Sequence, residues 1–433
     1  MDRDLIAIGS FVVLAVLMAL RVPVGVAMGL VGIGGFALLS DIDPALNLLG
    51  LVPVRTASDY ALGLIPMFIL MGSFATASGL SRELFAASNA WLGHRRGGLA
   101  MATIAACGGF SAICGSSVAT AATMARVALP EMRRFGYADS LAAGVIAAGG
   151  TLGILIPPSI VLAIYGFITE QDIGKLFIAG VVPGILAVLL YLATVWLLGR
   201  LNPERLPVGQ ASSSGERWRS MRGIWAVLLL FAFIIGGIYG GAFTPTEAAG
   251  MGAAGAWIIG VVRGRLTLRS TAQCLVEALR TSAGIFVILL GALLFGYFLA
   301  ITQTPTHFTT WLLGLELGRY GTLLVILLAY LLLGCVMDAM AMIILTVPII
   351  FPVVSQLGFD PIWFGVIIVM TVELGLITPP VGMNVFVING VARDISLPTI
   401  FRGVMPFVAT DVIRLAILIL LPALVTFLPS QMN

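Results

Sequence analysis

The sequence Gly153-Ile154-Leu155-Ile156-Pro157-Pro158 occurs in similar form 222 residues further along this 433-residue chain, as Gly375-Leu376-Ile377-Thr378-Pro379-Pro380. Each stretch closes an apolar segment with a pair of prolines. Proline has no backbone N–H, so a helix that runs into such a pair breaks and leaves carbonyl oxygens without their helical partners. The sequence therefore predicts two helices that are broken at equivalent points.

The carbonyls that lose a partner are predicted to be those of Gly153 and Ile154 at the first break, and of Gly375 and Leu376 at the second. An unpaired carbonyl inside a membrane is costly unless a cation uses it. A single proline pair usually makes a kink, but two equivalent pairs favour a site for Na⁺, a hard cation that suits backbone and hydroxyl oxygens. Hydroxyl groups for such sites are available at Ser116, Ser117, Ser159 and Thr378.

The same offset aligns further parts of the chain, since Leu129-Pro130 falls on Phe351-Pro352 and Asp172-Ile173 falls on Asp394-Ile395. A series of this kind indicates that one structural unit occurs twice. The predicted organisation is a first repeat over 1–200, a cytoplasmic linker over 201–222 and a second repeat over 223–433.

The composition is that of a protein surrounded by lipid. Hydrophobic residues make up 60% of the chain and charged residues 10%, whereas a soluble domain carries about 25% charge. Continuous apolar runs such as 5–20, 224–243 and 400–428 suit helices that cross about 30 Å of hydrocarbon, and they lack the alternation of barrel strands. The predicted class is an all-α polytopic membrane protein.

The basic residues predict how the chain crosses the membrane. Arginines gather at 95–96, at 126–134, in the linker and at 263–269, and such clusters lie on the cytoplasmic side. The polar breaks at 41–59, 169–175 and 302–310 hold few basic residues and are predicted on the other side. This assignment places both termini outside the cytoplasm and gives the two repeats opposite orientations.

Two segments do not fit simple alternation. Residues 97–129 are apolar or small, have arginines at both ends and are interrupted by Cys114-Gly115-Ser116-Ser117. We predict a re-entrant helical hairpin here rather than two tight ordinary helices, with a tip that lines a cavity or is buried in protein. The predicted hairpins cover about 97–130 and 321–354, and the predicted broken helices about 138–168 and 361–391.

Inverted repeats with interrupted helices are typical of secondary transporters, whose site lies between the repeats near the bilayer midplane. An intramembrane enzyme is the rival from another class. A serine protease would need a base near Ser116 or Ser117, and an aspartyl protease would need two facing aspartates. Neither arrangement is evident, and the four cysteines match no metal or redox spacing. The chain is predicted not to be an enzyme and to need no organic cofactor.

Several motifs, spread across nearly the whole chain, resemble one known family. They are Arg21-Val22-Pro23-Val24, Leu64-Ile65-Pro66-Met67-Phe68-Ile69-Leu70-Met71-Gly72, Gly115-Ser116-Ser117-Val118-Ala119-Thr120, Gly149-Gly150-Thr151-Leu152-Gly153-Ile154-Leu155-Ile156-Pro157-Pro158-Ser159, Phe243-Thr244-Pro245-Thr246-Glu247-Ala248-Ala249 and Gly375-Leu376-Ile377-Thr378-Pro379-Pro380-Val381-Gly382. In these stretches the sequence resembles the large membrane subunit of tripartite ATP-independent periplasmic (TRAP) transporters.

The resemblance implies a fold like that of the ion-transporter superfamily and an elevator motion in the bacterial inner membrane. It also implies uptake of a small carboxylate-bearing solute, such as a C4-dicarboxylate, sialic acid or a similar organic acid, driven by two or more Na⁺ ions. The implied partners are a small four-helix membrane subunit and a periplasmic binding protein that delivers the solute. The nearest alternative is a carboxylate and Na⁺ symporter of related hairpin fold that works without a binding protein.

The resemblance also implies site residues. The family's Na⁺ sites fall on Ser111, Ser116, Gly153, Ile156 and Pro157 in the first repeat, and on Gly334, Gly375, Thr378 and Val381 in the second. The solute site between the hairpin tips falls on Ser117, Ser159, Asp338 and Asn384.

Charged residues within apolar segments need a separate account. The second hairpin tip carries Asp338 where the first carries a serine, so this residue is expected to bind the solute or to join a cation site. Asp411 and Arg414 are spaced to pair on one face of a helix. A carboxylate at membrane depth is a functional candidate by default, but for Glu373 we favour a structural hydrogen-bonding role over a proton relay.

Overall fold

A computed structural model describes residues 3–202, 206–209 and 211–432, which form 20 α-helices. The predicted positions of the two termini, and part of the predicted linker, lie outside these residues. In the first half the helices are α1 (Arg3–Ala19), α2 (Val24–Leu39), α3 (Ile42–Ala57), α4 (Leu64–Ala77), α5 (Leu80–Leu92), α6 (Gly98–Cys114), α7 (Ser117–Arg134), α8 (Asp139–Leu155), α9 (Ile160–Thr169) and α10 (Ile173–Leu201).

The second half consists of ten helices in the described residues. They are α11 (Ser214–Tyr239), α12 (Pro245–Val262), α13 (Leu268–Ile301), α14 (Thr304–Leu313), α15 (Gly318–Gly334), α16 (Ala339–Gln356), α17 (Pro361–Ile377), α18 (Met383–Val391), α19 (Leu397–Leu420) and α20 (Ala423–Ser430).

The helix boundaries repeat along the chain. Helices α7 and α16 begin and end 222 residues apart, and so do α8 and α17. The main difference between the halves is that α3, a short 3-10 turn and α4 form a pair bent by 62°, whereas α13 runs on without interruption. Each half thus holds a helix pair over its predicted hairpin and a second pair over its predicted broken helix.

The connection between the halves is shorter than the predicted linker, 201–222. Helix α11 already begins at Ser214, within that range. Ser213 accepts a hydrogen bond from the Glu216 N–H, and the Glu216 side chain accepts one from the Ser213 N–H. This reciprocal cap satisfies two N–H donors at the start of the helix. Helix α11 therefore begins in polar residues that precede its apolar segment.

The two halves pack on each other reciprocally. Helix α7 packs against α18, and the corresponding helices α16 and α9 pack against each other. In the same way α8 packs against α19, and α17 packs against α10. Each half therefore offers the same surfaces to the other, as two related units do around a two-fold axis.

The innermost element is the α8–α9 pair, which forms one apolar span from Asp139 to Thr169 that is mostly buried. Apolar side chains such as Val12, Leu229 and Leu279 are exposed on α1, α11 and α13, as suits surfaces that face lipid. In the described residues six helices, or seven spans with the bent pair, are long and apolar enough to cross a membrane.

One arginine ties the end of the first hairpin to the second half. Arg133 donates hydrogen bonds to Asp139 at 2.7 and 3.1 Å and to Asp394 at 2.5 Å. The hydrogen bond from Arg133 holds the pKa of the Asp394 carboxyl below its usual range. A carboxyl with a lowered pKa stabilises the fold at neutral pH, and that contribution is lost as the pH falls through the lowered value.

We expect Arg133→Ala to lower the thermal unfolding temperature of the detergent-solubilised protein at pH 7, by a few degrees or about 1 kcal/mol. The difference from the unmodified protein should shrink as the pH falls from about 3.9, the ordinary pKa of aspartate, through the lowered pKa of Asp394. Arg134→Ala is the matched control, because Arg134 lies 3.9 Å from Glu131 and makes no second ion pair among the described residues. Equal losses in the two variants would contradict a specific role for the Arg133 bridge.

Candidate ion and solute site at the two helix breaks

The first break leaves three carbonyl oxygens free. Helix α8 ends with a hydrogen bond from the Ile156 N–H to the Leu152 carbonyl at 3.0 Å, and helix α9 begins four residues later. Within the described part of the chain, the carbonyls of Gly153, Ile154 and Leu155 accept no hydrogen bond. The prediction for Gly153 and Ile154 is confirmed, and the free oxygens have the chemistry that a hard cation requires.

At the second break, one of the corresponding backbone carbonyls does have a hydrogen-bond partner. The Thr378 N–H donates to the Gly375 carbonyl at 3.1 Å, and the Thr378 hydroxyl donates to the Leu374 carbonyl at 2.6 Å. The prediction that Gly375 has an unpaired carbonyl is therefore wrong. The last turn tightens to an i→i−3 hydrogen bond, as helix ends commonly do. A carbonyl oxygen has two lone pairs, so Gly375 can still coordinate a cation.

The tip of the first hairpin lies directly on the first break. A Cβ atom on Gly153 would lie 2.5 Å from the Ser116 carbonyl oxygen, and one on Gly115 would lie 2.9 Å from the Pro158 carbonyl oxygen. Only glycine allows the two backbones to come this close. The structure thus brings together three predicted site residues, Ser116, Ser117 and Gly153.

The second hairpin meets the second break in a related way. A Cβ atom on Gly375 would lie 2.7 Å from the Gly334 Cα, and the Gly382 N–H donates to the Cys335 carbonyl at 3.4 Å. The contact is made by the end of helix α15, whereas in the first repeat the start of α7 makes it. Predicted ligands Gly334 and Gly375 are therefore neighbours, and Asp338 stands further along the tip.

Asp338 and Ser116 have the same structural role. They are 222 residues apart and each caps the returning helix of its hairpin. Ser116 accepts a hydrogen bond from the Ala119 N–H at 3.3 Å, and Asp338 accepts from the N–H groups of Met340 and Ala341 at 3.0 and 3.4 Å. Asp and Ser are both preferred at the start of a helix, which accounts for the difference between the two tips.

The remaining predicted residues each make their own separate contacts. Ser159 caps α9 by accepting from the Leu162 N–H at 3.2 Å, and Ser111 donates to the Cys107 carbonyl at 2.6 Å. Asn384 is buried between the halves, where its amide nitrogen lies 3.5 Å from the Ala147 carbonyl oxygen. Its side-chain oxygen has no hydrogen-bond partner among the described residues. Ile156, Pro157 and Val381 lie in the connections between the broken helices.

The two breaks differ in exposure. Pro157, Pro158 and Ser159 are buried, while Pro379 and Pro380 are exposed. In this conformation the first break is enclosed by protein and the second is accessible.

A cluster of charges lies deep between the repeats. Arg414 and Asp411 form the predicted pair, with 2.9 Å between Nη2 and Oδ1, and both side chains are buried. Glu373 is 1% exposed, and neither of its carboxylate oxygens has a hydrogen-bond partner in the part of the chain that the structure describes. The structural hydrogen-bonding role favoured for Glu373 stays a prediction. Ser117 lies beside this carboxyl, so the cluster reaches the first hairpin tip.

Sequence reasoning missed two members of this cluster, Tyr191 and Thr151. The Tyr191 hydroxyl donates to Asp411 Oδ2 at 2.7 Å and lies 3.1 Å from the Thr151 hydroxyl. Neither residue stands out in an apolar helix, because tyrosine and threonine are common there. The repeat offset was the available signal, since it places Thr151 on Glu373.

Comparison with known proteins shows the family. Residues 11–424 match the family described as tripartite ATP-independent periplasmic transporter, DctM component. The chain belongs to this family. A C4-dicarboxylate TRAP transporter large permease protein from Pseudomonas aeruginosa is 40% identical over 381 residues, which cover 88% of each chain. A sialic acid TRAP transporter large permease protein from Vibrio cholerae is 32% identical over 410 residues, or 94% of this chain and 95% of that one.

A solved structure shares the fold of this DctM-family chain. The crystal structure of the Alcanivorax borkumensis YdaH transporter superposes with a TM-score of 0.59, at 17% identity, over 88% of this chain and 89% of that one. The all-helical polytopic class predicted from the sequence is confirmed. The chain is accordingly a multi-pass membrane protein of the TRAP large-permease type.

The capping role of Asp338 can be tested by substitution. Asp338→Ala removes the side-chain acceptor and should destabilise the protein by about 1 kcal/mol, whereas Asp338→Ser keeps a preferred cap and should be close to neutral. Thermal unfolding in detergent measures both. If Asp338→Ser is as destabilising as Asp338→Ala, the charge of the carboxylate matters to the fold and the cap does not explain it.

Proposed function

We propose that this chain is the large permease of a Na⁺-driven tripartite transporter in a bacterial inner membrane, and that it takes up a small carboxylate-bearing solute by an elevator motion. The observation that carries the proposal is the pair of helix breaks, each packed against a hairpin tip, in a chain of the DctM family. A periplasmic binding protein would deliver the solute, and a small four-helix subunit would complete the membrane part.

Na⁺ coupling is supported by the oxygen atoms at the breaks. At the first break the free carbonyls of Gly153 and Ile154 lie against the hairpin tip that carries the hydroxyls of Ser116 and Ser117. At the second break the Thr378 hydroxyl directs its hydrogen to the Leu374 carbonyl, so the lone pairs of Oγ1 remain for a cation. Neutral oxygens of this kind are suitable ligands for an alkali cation by extension of the preferences of harder cations.

An inverted arrangement is supported by the contact between Arg133 and Asp394. Arg133 belongs to a cluster predicted to be cytoplasmic, while Asp172, the counterpart of Asp394, is predicted on the opposite side. If the repeats had the same orientation, Asp394 would lie outside and could not reach Arg133. The 2.5 Å contact between them therefore favours opposite orientations.

The solute site is proposed between the halves, where Asn384 and Ser117 are buried near the first tip. Asn384 has a free side-chain oxygen, which can accept a hydrogen bond from a hydroxyl or amino group of a solute. The names of the relatives include C4-dicarboxylate, sialic acid and 2,3-diketo-L-gulonate. All three are organic acids, so a carboxylate solute is the proposed class.

The assignment to a tripartite system can be tested by reconstitution in liposomes. The chain alone should not accumulate solute, while the chain with its small subunit, its binding protein and an inward Na⁺ gradient should. An equal K⁺ gradient is the control for the ion, and a binding protein from an unrelated system is the control for the partner. Strong uptake by the purified chain alone would instead establish a symporter that needs no binding protein.

The second cation site can be tested with Thr378. Thr378→Ala deletes a proposed ligand and should raise the Na⁺ concentration for half-maximal uptake about tenfold, equivalent to about 1.4 kcal/mol. Thr378→Ser keeps the hydroxyl and should retain most of the affinity. Thr371 is the matched control, because it lies on the same helix and also donates its hydroxyl to a carbonyl one turn earlier, at 2.8 Å.

Thr371→Ala should leave the Na⁺ dependence unchanged, since its hydroxyl is two turns from the break. If Thr378→Ala and Thr371→Ala have the same Na⁺ dependence as the unmodified protein, the second site lies elsewhere. If both variants weaken the Na⁺ dependence equally, the loss reflects the packing of α17 and not a ligand.

A further inference from the structure

A series of polar side chains runs through the apolar interior from the first broken helix toward the second. The Thr151 hydroxyl on α8 lies 3.1 Å from the Tyr191 hydroxyl on α10, and Tyr191 donates to Asp411 Oδ2 on α19 at 2.7 Å. Arg414 lies 2.9 Å from the other oxygen of Asp411. Glu373 is also buried and lies on α17, which packs against α19. We call the five side chains of Thr151, Tyr191, Asp411, Arg414 and Glu373 the buried chain.

The ends of the buried chain are equivalent positions of the two repeats. An offset of 222 residues places Thr151 on Glu373, and an offset of 223, which also places Gly180 on Gly403, places Tyr191 on Arg414. The positions that correspond to the contacting residues Thr151 and Tyr191 are thus occupied in the other repeat by Glu373 and Arg414. Asp411, which bonds to Tyr191 and pairs with Arg414, joins the two halves of the buried chain.

Each end of the buried chain stands two residues before a proposed cation ligand. Thr151 precedes Gly153 at the first break, and Glu373 precedes Gly375 at the second. Both pairs lie in the last turn of their helix. A shift of either helix end therefore moves one end of the buried chain.

The link between Arg414 and Glu373 is open in this conformation. The Nε and Nη1 atoms of Arg414 and both carboxylate oxygens of Glu373 lack hydrogen-bond partners among the described residues. Unpaired charges at this depth are costly, while a paired and hydrogen-bonded set is tolerated. A coupling element between two sites requires a second arrangement, and pairing of these unpartnered groups with each other would provide one.

We propose that the buried chain couples the two cation sites, so that Na⁺ binding at one break changes the affinity of the other. This inference rests on the proposed Na⁺ sites and adds the residues that connect them. Tyr191, Asp411 and Arg414 act as positioning residues, since they hold the helix ends and do not touch the ions. Because coupling of this kind is reciprocal, a cation at either break should promote binding at the other.

Tyr191→Phe is the direct test, because it removes one hydroxyl and keeps the ring. The measurement is the Na⁺ dependence of uptake by the complete reconstituted transporter, fitted for both the half-saturating concentration and the Hill coefficient. The unmodified protein should give a Hill coefficient well above 1. Tyr191→Phe should lower the Hill coefficient to about 1, as expected for independent sites. Thr151→Val breaks the next link of the buried chain and should have the same effect.

The double variant Thr151→Val with Tyr191→Phe should be no worse than either single variant, because both changes interrupt one network. Thr194→Val is the matched control. Thr194 lies on α10 like Tyr191, and its hydroxyl lies 2.6 Å from that of Thr410 on α19, but this pair does not extend to either break. Thr194→Val should keep the steep Na⁺ dependence of the unmodified protein.

The outcomes separate this inference from the proposed function. If uptake by the unmodified protein does not depend on Na⁺, the proposed function fails. If it depends steeply on Na⁺ and Tyr191→Phe and Thr151→Val are equally steep, the coupling role is overturned while the function stands. A loss of steepness in Thr194→Val as well would overturn the role too, since it would trace the effect to general packing of α10 on α19. Thermal unfolding of all variants shows whether each is folded. If Tyr191→Phe does not fold, the Na⁺ dependence of Thr151→Val decides whether the network couples the two sites.

Discussion

The structure depends on carbonyl oxygens that have no N–H partner inside a membrane. Proline pairs create this situation at two equivalent points, and lipid offers nothing that could satisfy the freed groups. The freed groups must therefore lie against protein or line a cavity, and each break has a hairpin tip packed on it, backbone against backbone, at Gly153 and at Gly375. The same requirement accounts for the reciprocal packing of α7 with α18 and of α9 with α16, because a helix of each half covers the helix that follows the break in the other half.

The two breaks are equivalent in sequence but not in structure. The first is buried and keeps its last carbonyls free, while the second has exposed prolines and a tightened last turn that uses the Gly375 carbonyl. One chain thus presents an enclosed and an accessible version of the same unit.

The buried charges illustrate a cost that apolar packing would avoid. Replacing an ion pair in an apolar interior by well-packed hydrophobic residues is often neutral or stabilising, so Asp411 and Arg414 are not required for stability alone. Their connection through Tyr191 to Thr151 places polar groups where the two halves meet. The position of this polar network between the halves favours a role in how one half acts on the other, beyond stability.

The membrane class, the repeat and the two broken helices could be predicted from the sequence, because lipid permits few backbone arrangements and proline acts locally on its own helix. The Asp411–Arg414 pair could be predicted too, since it depends only on spacing along one helix. The folded protein was needed to show that Asp338 caps a helix like Ser116, that Gly375 has a partner, and that Thr151 and Tyr191 join the charges. Those outcomes depend on which side chains from distant segments meet, and contacts of that kind arise only when the two halves are packed together.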